Sequence, residues 1–213
     1  MVPEIDVQFI LVGLPVILIS LTVHEIAHGY TAYRLGDLTA KNDGRLSLNP
    51  LRHIDPLGLI IMILYRFGWA KPVMVNPNNL KNPKKDMALI SVAGPASNIV
   101  LSILFFIPLY ALMTTIDTTS YLFNFLVTGV NINIVLAVFN CLPVPPLDGS
   151  KIFGILLPDR IYYKTVMINS IIGMGVLLLL MLTGVLSMVI MPMRDFVLNL
   201  YIFAANTIVG LFI

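Results

Sequence analysis

LISLTVHEIAHGYTAYRLG, residues 18 to 36, overlaps the end of an apolar run, Val7 to Val23, that contains no Asp, Glu, Lys or Arg. A run of that length is close to the roughly 17–25 residues a membrane-spanning helix needs. His24, Glu25 and His28 then fall at what the run makes membrane depth, where ionisable groups are costly and usually functional. The fold class follows from the run, and the chemistry from the residues that interrupt it.

The rest of the chain is equally apolar. Its 213 residues are 58% hydrophobic and 11% charged, with a mean hydropathy of +0.92, which excludes a soluble globular domain. Further charge-free windows cover Met87–Ile116, Thr118–Leu147, Thr165–Met193 and Phe196–Ile213. The Thr118 window ends in prolines, so its helix is expected to stop near Cys141. No basic segment precedes the first run, which carries Glu4 and Asp6 ahead of it, so it reads as a retained span and not a cleaved signal. A net charge of +2 is too small to suggest nucleic acid, and a single cysteine, Cys141, excludes an internal disulfide. No internal repeat is visible, nothing specifies an oligomeric state, and residues 1–213 read as one membrane domain.

Charge sets the expected orientation. Arg34, Lys41, Arg45, Arg52, Arg66, Lys71, Lys81, Lys84 and Lys85 form one basic cluster, and Lys151, Arg160 and Lys164 a second; both should be cytoplasmic. The stretch Pro56–Tyr65 is too short to cross and reads as re-entrant. With it so placed, twelve of the thirteen basic residues lie inside and only Arg194 outside. The expected architecture is an all-α, multi-pass protein of the cell membrane. It has five spans plus one re-entrant element, and HEIAH and PPLDGSK meet at the same depth toward the cytoplasm.

On a helix, His24 and His28 are one turn apart on one face, so both imidazoles can bind one metal ion while Glu25 points to the adjacent open position. H-E-x-x-H is the arrangement of zinc hydrolases, in which the metal acidifies a water and the glutamate takes its proton. The alternative is two helix histidines bonding neighbouring helices and a paired glutamate; burying all three in an apolar span disfavours it. A catalytic zinc usually takes a third protein ligand. Asp43, His53, Asp55, Asp148 and Asp159 are candidates, and Asp148 best combines depth with a charge-free run before it. It sits in NCLPVPPLDG, residues 140–149, where Pro143, Pro145 and Pro146 preclude a regular helix. Extended backbone at that depth must line protein or water. Taken alone, Asp148 would be an ordinary turn aspartate before Gly149.

HEIAH in the first span, GPASN at 94–98 and NCLPVPPLDG at 140–149 together resemble the site-2 protease family of intramembrane zinc metalloproteases. NPLRHIDPLG at 49–58 and GWAKPVMVNP at 68–77 resemble its compact subgroup, which lacks PDZ and CBS domains. The resemblance implies one Zn2+ per chain held by His24, His28 and Asp148, with Glu25 as general base. It also implies that Asn140 and Pro146 line the place where substrate is held, that Asn98 supports core helix packing, and that the substrate is a transmembrane protein met within membrane lipid. Hydrolysing a helical segment requires unwinding it. Asn140–Leu147, or short strands near 68–77, could pair with the unwound chain as an added strand.

His53 is open to a second role near the metal or in gating, against a plainer one of holding an interfacial turn. Cys141 reads as a buried, inert thiol. Asn131 and Asn133 are expected to satisfy helix–helix hydrogen bonds, and Gly173, Gly175 and Gly184 to allow close helix approach. Two other functions compete with proteolysis: a silent scaffold for client helices, which would not need Glu25, and a metal transporter, which would commonly show paired repeats.

Overall fold

A computed structural model describes residues 6–65, 68–166 and 170–210. A π-helical turn, Phe9–Gly13, runs into α1, Leu14–Arg34; α2 is Thr39–Asn42 and α3 Pro56–Tyr65. Then follow α4, Pro83–Leu112; α5, Tyr121–Asn140; α6, Asp148–Gly154; α7, Asp159–Val166; α8, Ser170–Leu182; and α9, Val185–Gly210. Among the described residues, four helices are long and apolar enough to cross a membrane: Phe9–Arg34, Pro83–Leu112, Tyr121–Asn140 and Val185–Gly210. The protein is a multi-pass, all-helical membrane protein, and α3, at ten residues, is too short to span, as its length in sequence suggests.

The last two apolar windows divide differently from the expectation. A break near Arg194 would separate them, whereas the chain turns at Gly184, whose φ of +74° suits glycine, and α9 runs unbroken through Arg194 and Asp195. The reason is local neutralisation: Arg194 Nε donates to Asp195 Oδ1 at 2.9 Å, so the two charges travel together along the helix. Arg194 therefore lies within a helix and does not mark an outer loop. Arg66 of the basic cluster, and residues 167–169 of the Thr165 window, lie outside the described residues.

Helix α4 is the hub, packing along α1, α5 and α6. Small residues make this possible: Gly129 of α5 lies against the Phe105 ring with no room for a Cβ. Phe106, Val130, Ile134, Val138, Leu186 and Ile190 form the apolar core between α4, α5 and α9. Polar bonds join the same helices, including Ser102 Oγ with Tyr201 Oη at 2.7 Å and Tyr110 Oη donating to Asn206 Oδ1 at 2.6 Å. Of the three glycines read as packing sites, Gly173 fits that reading, meeting the Pro145 carbonyl; a Cβ at Gly175 or Gly184 would touch nothing.

Helix α1 ends on RLGD. Gly36, with φ +107°, donates to Tyr33 O at 3.2 Å and Asp37 N–H to Ala32 O at 3.0 Å, a Schellman closure that turns the chain sharply and buries Asp37. In 68–77, where short strands are expected, the described residues show one isolated antiparallel bridge, Ile54 with Ala70, and otherwise no regular structure before the 3-10 turn Pro77–Asn79. Pro72 and Pro77 remove two ladder donors, and the amides of Val73 and Asn76 bond to side chains instead.

Candidate active site

Helices α1 and α4 run antiparallel, each presenting a stripe of residues four apart. His24 and His28 form one stripe and Ile90, Gly94 and Asn98 the other. The two interlock. His24 Nδ1 lies 2.6 Å from Asn98 Oδ1, and His28 Nδ1 lies 2.7 Å from Ile90 O. Between them, a Cβ on Gly94 would come within 2.5 Å of both imidazoles. Asn98 is fully buried, with its amide nitrogen donating to Asn133 Oδ1 at 2.9 Å and to Ser20 O at 3.3 Å; Asn133 in turn donates to Gly129 O at 2.8 Å. The network fixes Asn98 Oδ1 as an acceptor.

A carbonyl oxygen only accepts, so Nδ1 of each histidine carries the proton and each Nε2 carries a lone pair. Those two Nε2 atoms are 2.9 Å apart, and each is 3.2 Å from Asp148 Oδ2. Three lone-pair donors so close would repel one another unless a cation stood among them. The triangle approximates the roughly 3.3 Å edges implied by tetrahedral zinc bonds of about 2.0–2.1 Å. Among the described residues, His24, His28 and Asp148 form a group whose ligand atoms all lie within 4.8 Å, and the two-nitrogen, one-oxygen set suits Zn2+. Asp148 reaches this place because the 141–147 loop returns the chain to the start of α6, and Gly149 packs against the Cys141 and Leu142 carbonyls with no space for a side chain.

A cavity of about 340 Å³ opens beside the triad, lined by Glu25, Pro72, Val73, Met74, Val75, Asn140, Pro146 and Lys151 among others. Glu25, Asn140 and Pro146 thus share one space with His24, His28 and Asp148. Glu25 Oε2 accepts the Val73 N–H at 2.7 Å. Asn140 turns its amide nitrogen to Leu136 O at 3.0 Å. His53 does not line this cavity. It is buried beside Leu18, Leu21, Thr22 and Trp69, with Nε2 2.8 Å from Ser47 O. Asp55 caps α3 through Gly58 N–H at 2.8 Å, and Asp159 pairs with Lys84 at 2.9 Å.

Three participants escape the sequence reading. Asn98 contacts His24 directly and does more than support packing; the signal was available, since GPASN puts Gly94 and Asn98 on one helix face. Gly94 and Val73 carry no chemistry in their side chains, so only geometry reveals them. Asn98→Leu would leave the His24 Nδ1–H buried without an acceptor. The expected result is a zinc affinity lower by about 10–100-fold, as for other partners that orient a metal-bound histidine, measured by competition with a chromophoric chelator.

Comparison with known proteins identifies the family of the chain. The profile of Peptidase family M50 matches residues 113–182. YwhC of Bacillus subtilis (strain 168), designated a zinc metalloprotease, is 40% identical over 194 residues, covering 87% of this chain and 88% of its own. Rip2 of Mycolicibacterium smegmatis, designated likewise, is 34% identical over 154 residues, 66% of this chain and 54% of its own. Zinc metalloprotease MJ0392 of Methanocaldococcus jannaschii is 28% identical over 171 residues, 80% of this chain and 42% of its own. No solved structure matches the chain significantly. On the strength of the match that spans nearly all of both chains, this protein belongs to peptidase family M50, the site-2 proteases, and is a zinc metalloprotease.

Proposed function

We propose that this protein hydrolyses peptide bonds within or beside the transmembrane segments of other membrane proteins. His24, His28 and Asp148 hold the zinc, and Glu25 is the general base. The observation that carries the reading is the set of three converging lone pairs, with both histidine protons committed elsewhere, next to a carboxylate in a cavity built on spanning helices. Zinc, when bound, supplies the Lewis acidity that brings a water's pKa to about 7. Glu25, with Oε2 engaged by Val73, keeps Oε1 to accept a proton and pass it to the leaving amine. Asn140 and Pro146 hold the substrate chain in the cavity. Met74 and Val75 line the same space, and their backbone makes no hydrogen bond among the described residues. They offer an edge on which an unwound substrate can add as a strand.

The basic residues favour a site facing the cytoplasm from within the cell membrane. Lys84 and Lys151 lie on the same side of the bundle as the triad, close to α6 and α7. The test is cleavage of a panel of single-span membrane proteins by the purified chain in detergent, before and after zinc is stripped and restored. Cuts inside apolar segments that vanish with the metal and return with it support the reading. Stoichiometric zinc with no panel member cut, yet stable capture of client helices, would favour the scaffold.

A further inference from the structure

The segment Lys71–Asn76 runs along the cavity as a strap without regular secondary structure, and both of its ends are pinned. At one end Lys71 N–H donates to His53 O at 2.8 Å, and the buried Arg45 guanidinium donates to the carbonyls of Lys71 and Arg52. At the other, the fully buried Asp37 carboxylate accepts from Asn76 N–H at 2.8 Å and Asn79 Nδ2 at 2.7 Å. Asp37 is itself fixed by Thr39, whose N–H and hydroxyl donate at 3.1 and 2.6 Å. Burial opposes the Asp37 charge, but these four donors outweigh it and hold the carboxyl below its ordinary range, so the clamp is ionised at neutral pH.

Between the pins, Pro72 has no N–H, and Val73 N–H donates to Glu25 Oε2 at 2.7 Å. The register of that contact is set by packing. Gly29 lies one turn beyond Glu25 on the same face of α1, and a Cβ there would meet Val73 Cγ1 at 3.3 Å and Leu46 Cδ2 at 3.0 Å. The valine side chain therefore sits over the glycine while its amide reaches the carboxylate.

We infer that the strap is the element that orients the catalytic carboxylate, with the Val73 amide as its contact and Asp37 and Arg45 as remote positioning residues. The inference rests on the reading of Glu25 as general base. A glutamate side chain on a helix has three torsions to fix; one amide bond to Oε2 selects a carboxylate orientation and leaves Oε1 for the proton. Pinning both flanks of Val73 is what keeps that amide in place, because among the described residues no strand partner does so. A displacement of about 1 Å in such a group can lower turnover by about 10²-fold.

The chain has two glutamates, Glu4 and Glu25, so a carboxyl-13C glutamate label gives one resonance for each, and Glu25→Gln identifies the second by its loss. The zinc-loaded full chain, native and variant, would be compared by this resonance and by steady-state cleavage of a single-span protein that the native chain cuts. Val73→Pro deletes the N–H, whereas Val73→Ala keeps it and removes the packing. The expected results are a moved Glu25 resonance and a kcat about 10–100-fold lower in Val73→Pro, with KM within threefold and one zinc retained. Val73→Ala, which keeps the N–H, should move the resonance and lower kcat by clearly less than Val73→Pro does. Asp37→Ala should resemble Val73→Pro and add nothing to it in the double variant. An unmoved resonance in Val73→Pro, an equal loss in Val73→Ala, or a rise in KM alone would each overturn the inference, the last assigning the strap to substrate binding only. If Asp37→Ala fails to fold, the Val73 pair decides. If Glu25→Gln cleaves at the native rate, the base assignment itself fails, a result read independently of the strap.

Discussion

Glu25→Gln is expected to bind one zinc per chain and to cut substrate about 10²–10⁴-fold more slowly than the native chain. The substitution keeps size and shape, and the glutamine carbonyl still accepts the Val73 N–H that Glu25 Oε2 accepts at 2.7 Å. What it removes is a basic oxygen. General-base assistance contributes about 10²–10⁴-fold, so the rate should fall by that factor while metal content and melting temperature stay near native. Asp148→Asn should behave differently. It weakens a ligand whose Oδ2 stands 3.2 Å from both histidine nitrogens, so zinc affinity falls together with cleavage. Side-by-side zinc titration and cleavage separate the two roles. A Glu25→Gln chain that retained full function would belong to a scaffold or a transporter, neither of which draws on the carboxylate's basicity.

Much of this site is legible in the sequence because it depends on short-range periodicity. His24 and His28 share a helix face whatever surrounds them, and the apolar run ahead of them gives their depth. Charge parity along the chain brings PPLDG to the same level, which favours Asp148 among five candidate third ligands, and the family resemblance singles it out. The last two helices show where that logic stops. Windows defined by charge treat Arg194 as a boundary, yet its bond to Asp195 lets α9 continue, and the turn falls at Gly184, where a Cβ would meet nothing and the positive φ is the constraint. The strap was harder still. Residues 68–77 carry a strand-like composition, but several of the hydrogen bonds they make go to Glu25, Asp37, Arg45 and His53, distant in sequence, and no local pattern announces such partners.

Gly94→Ala is expected to abolish both zinc binding and cleavage, although it adds one methyl group and no charge. On propensity alone the change favours the helix by up to about 1 kcal/mol, since glycine is costly in a helix interior. Position 94 is different because the new Cβ would lie within 2.5 Å of His24 Cε1, His28 Cε1 and His28 Nε2. Those imidazoles have little freedom to retreat. Each is tethered at Nδ1, one to Asn98 and the other to Ile90 O, and α1 cannot withdraw without breaking both bonds. The clash therefore falls on the lone pairs that face Asp148, and the triangle of ligand atoms opens. Metal content by mass spectrometry should drop below stoichiometric, with helical content by circular dichroism unchanged. Gly175→Ala serves as the control, because a Cβ there touches nothing and both zinc and cleavage should persist. A Gly94→Ala chain that kept its zinc would mean that α1 and α4 can separate at the histidines, and that the tight interlock of the two stripes is not what holds the ligands in place.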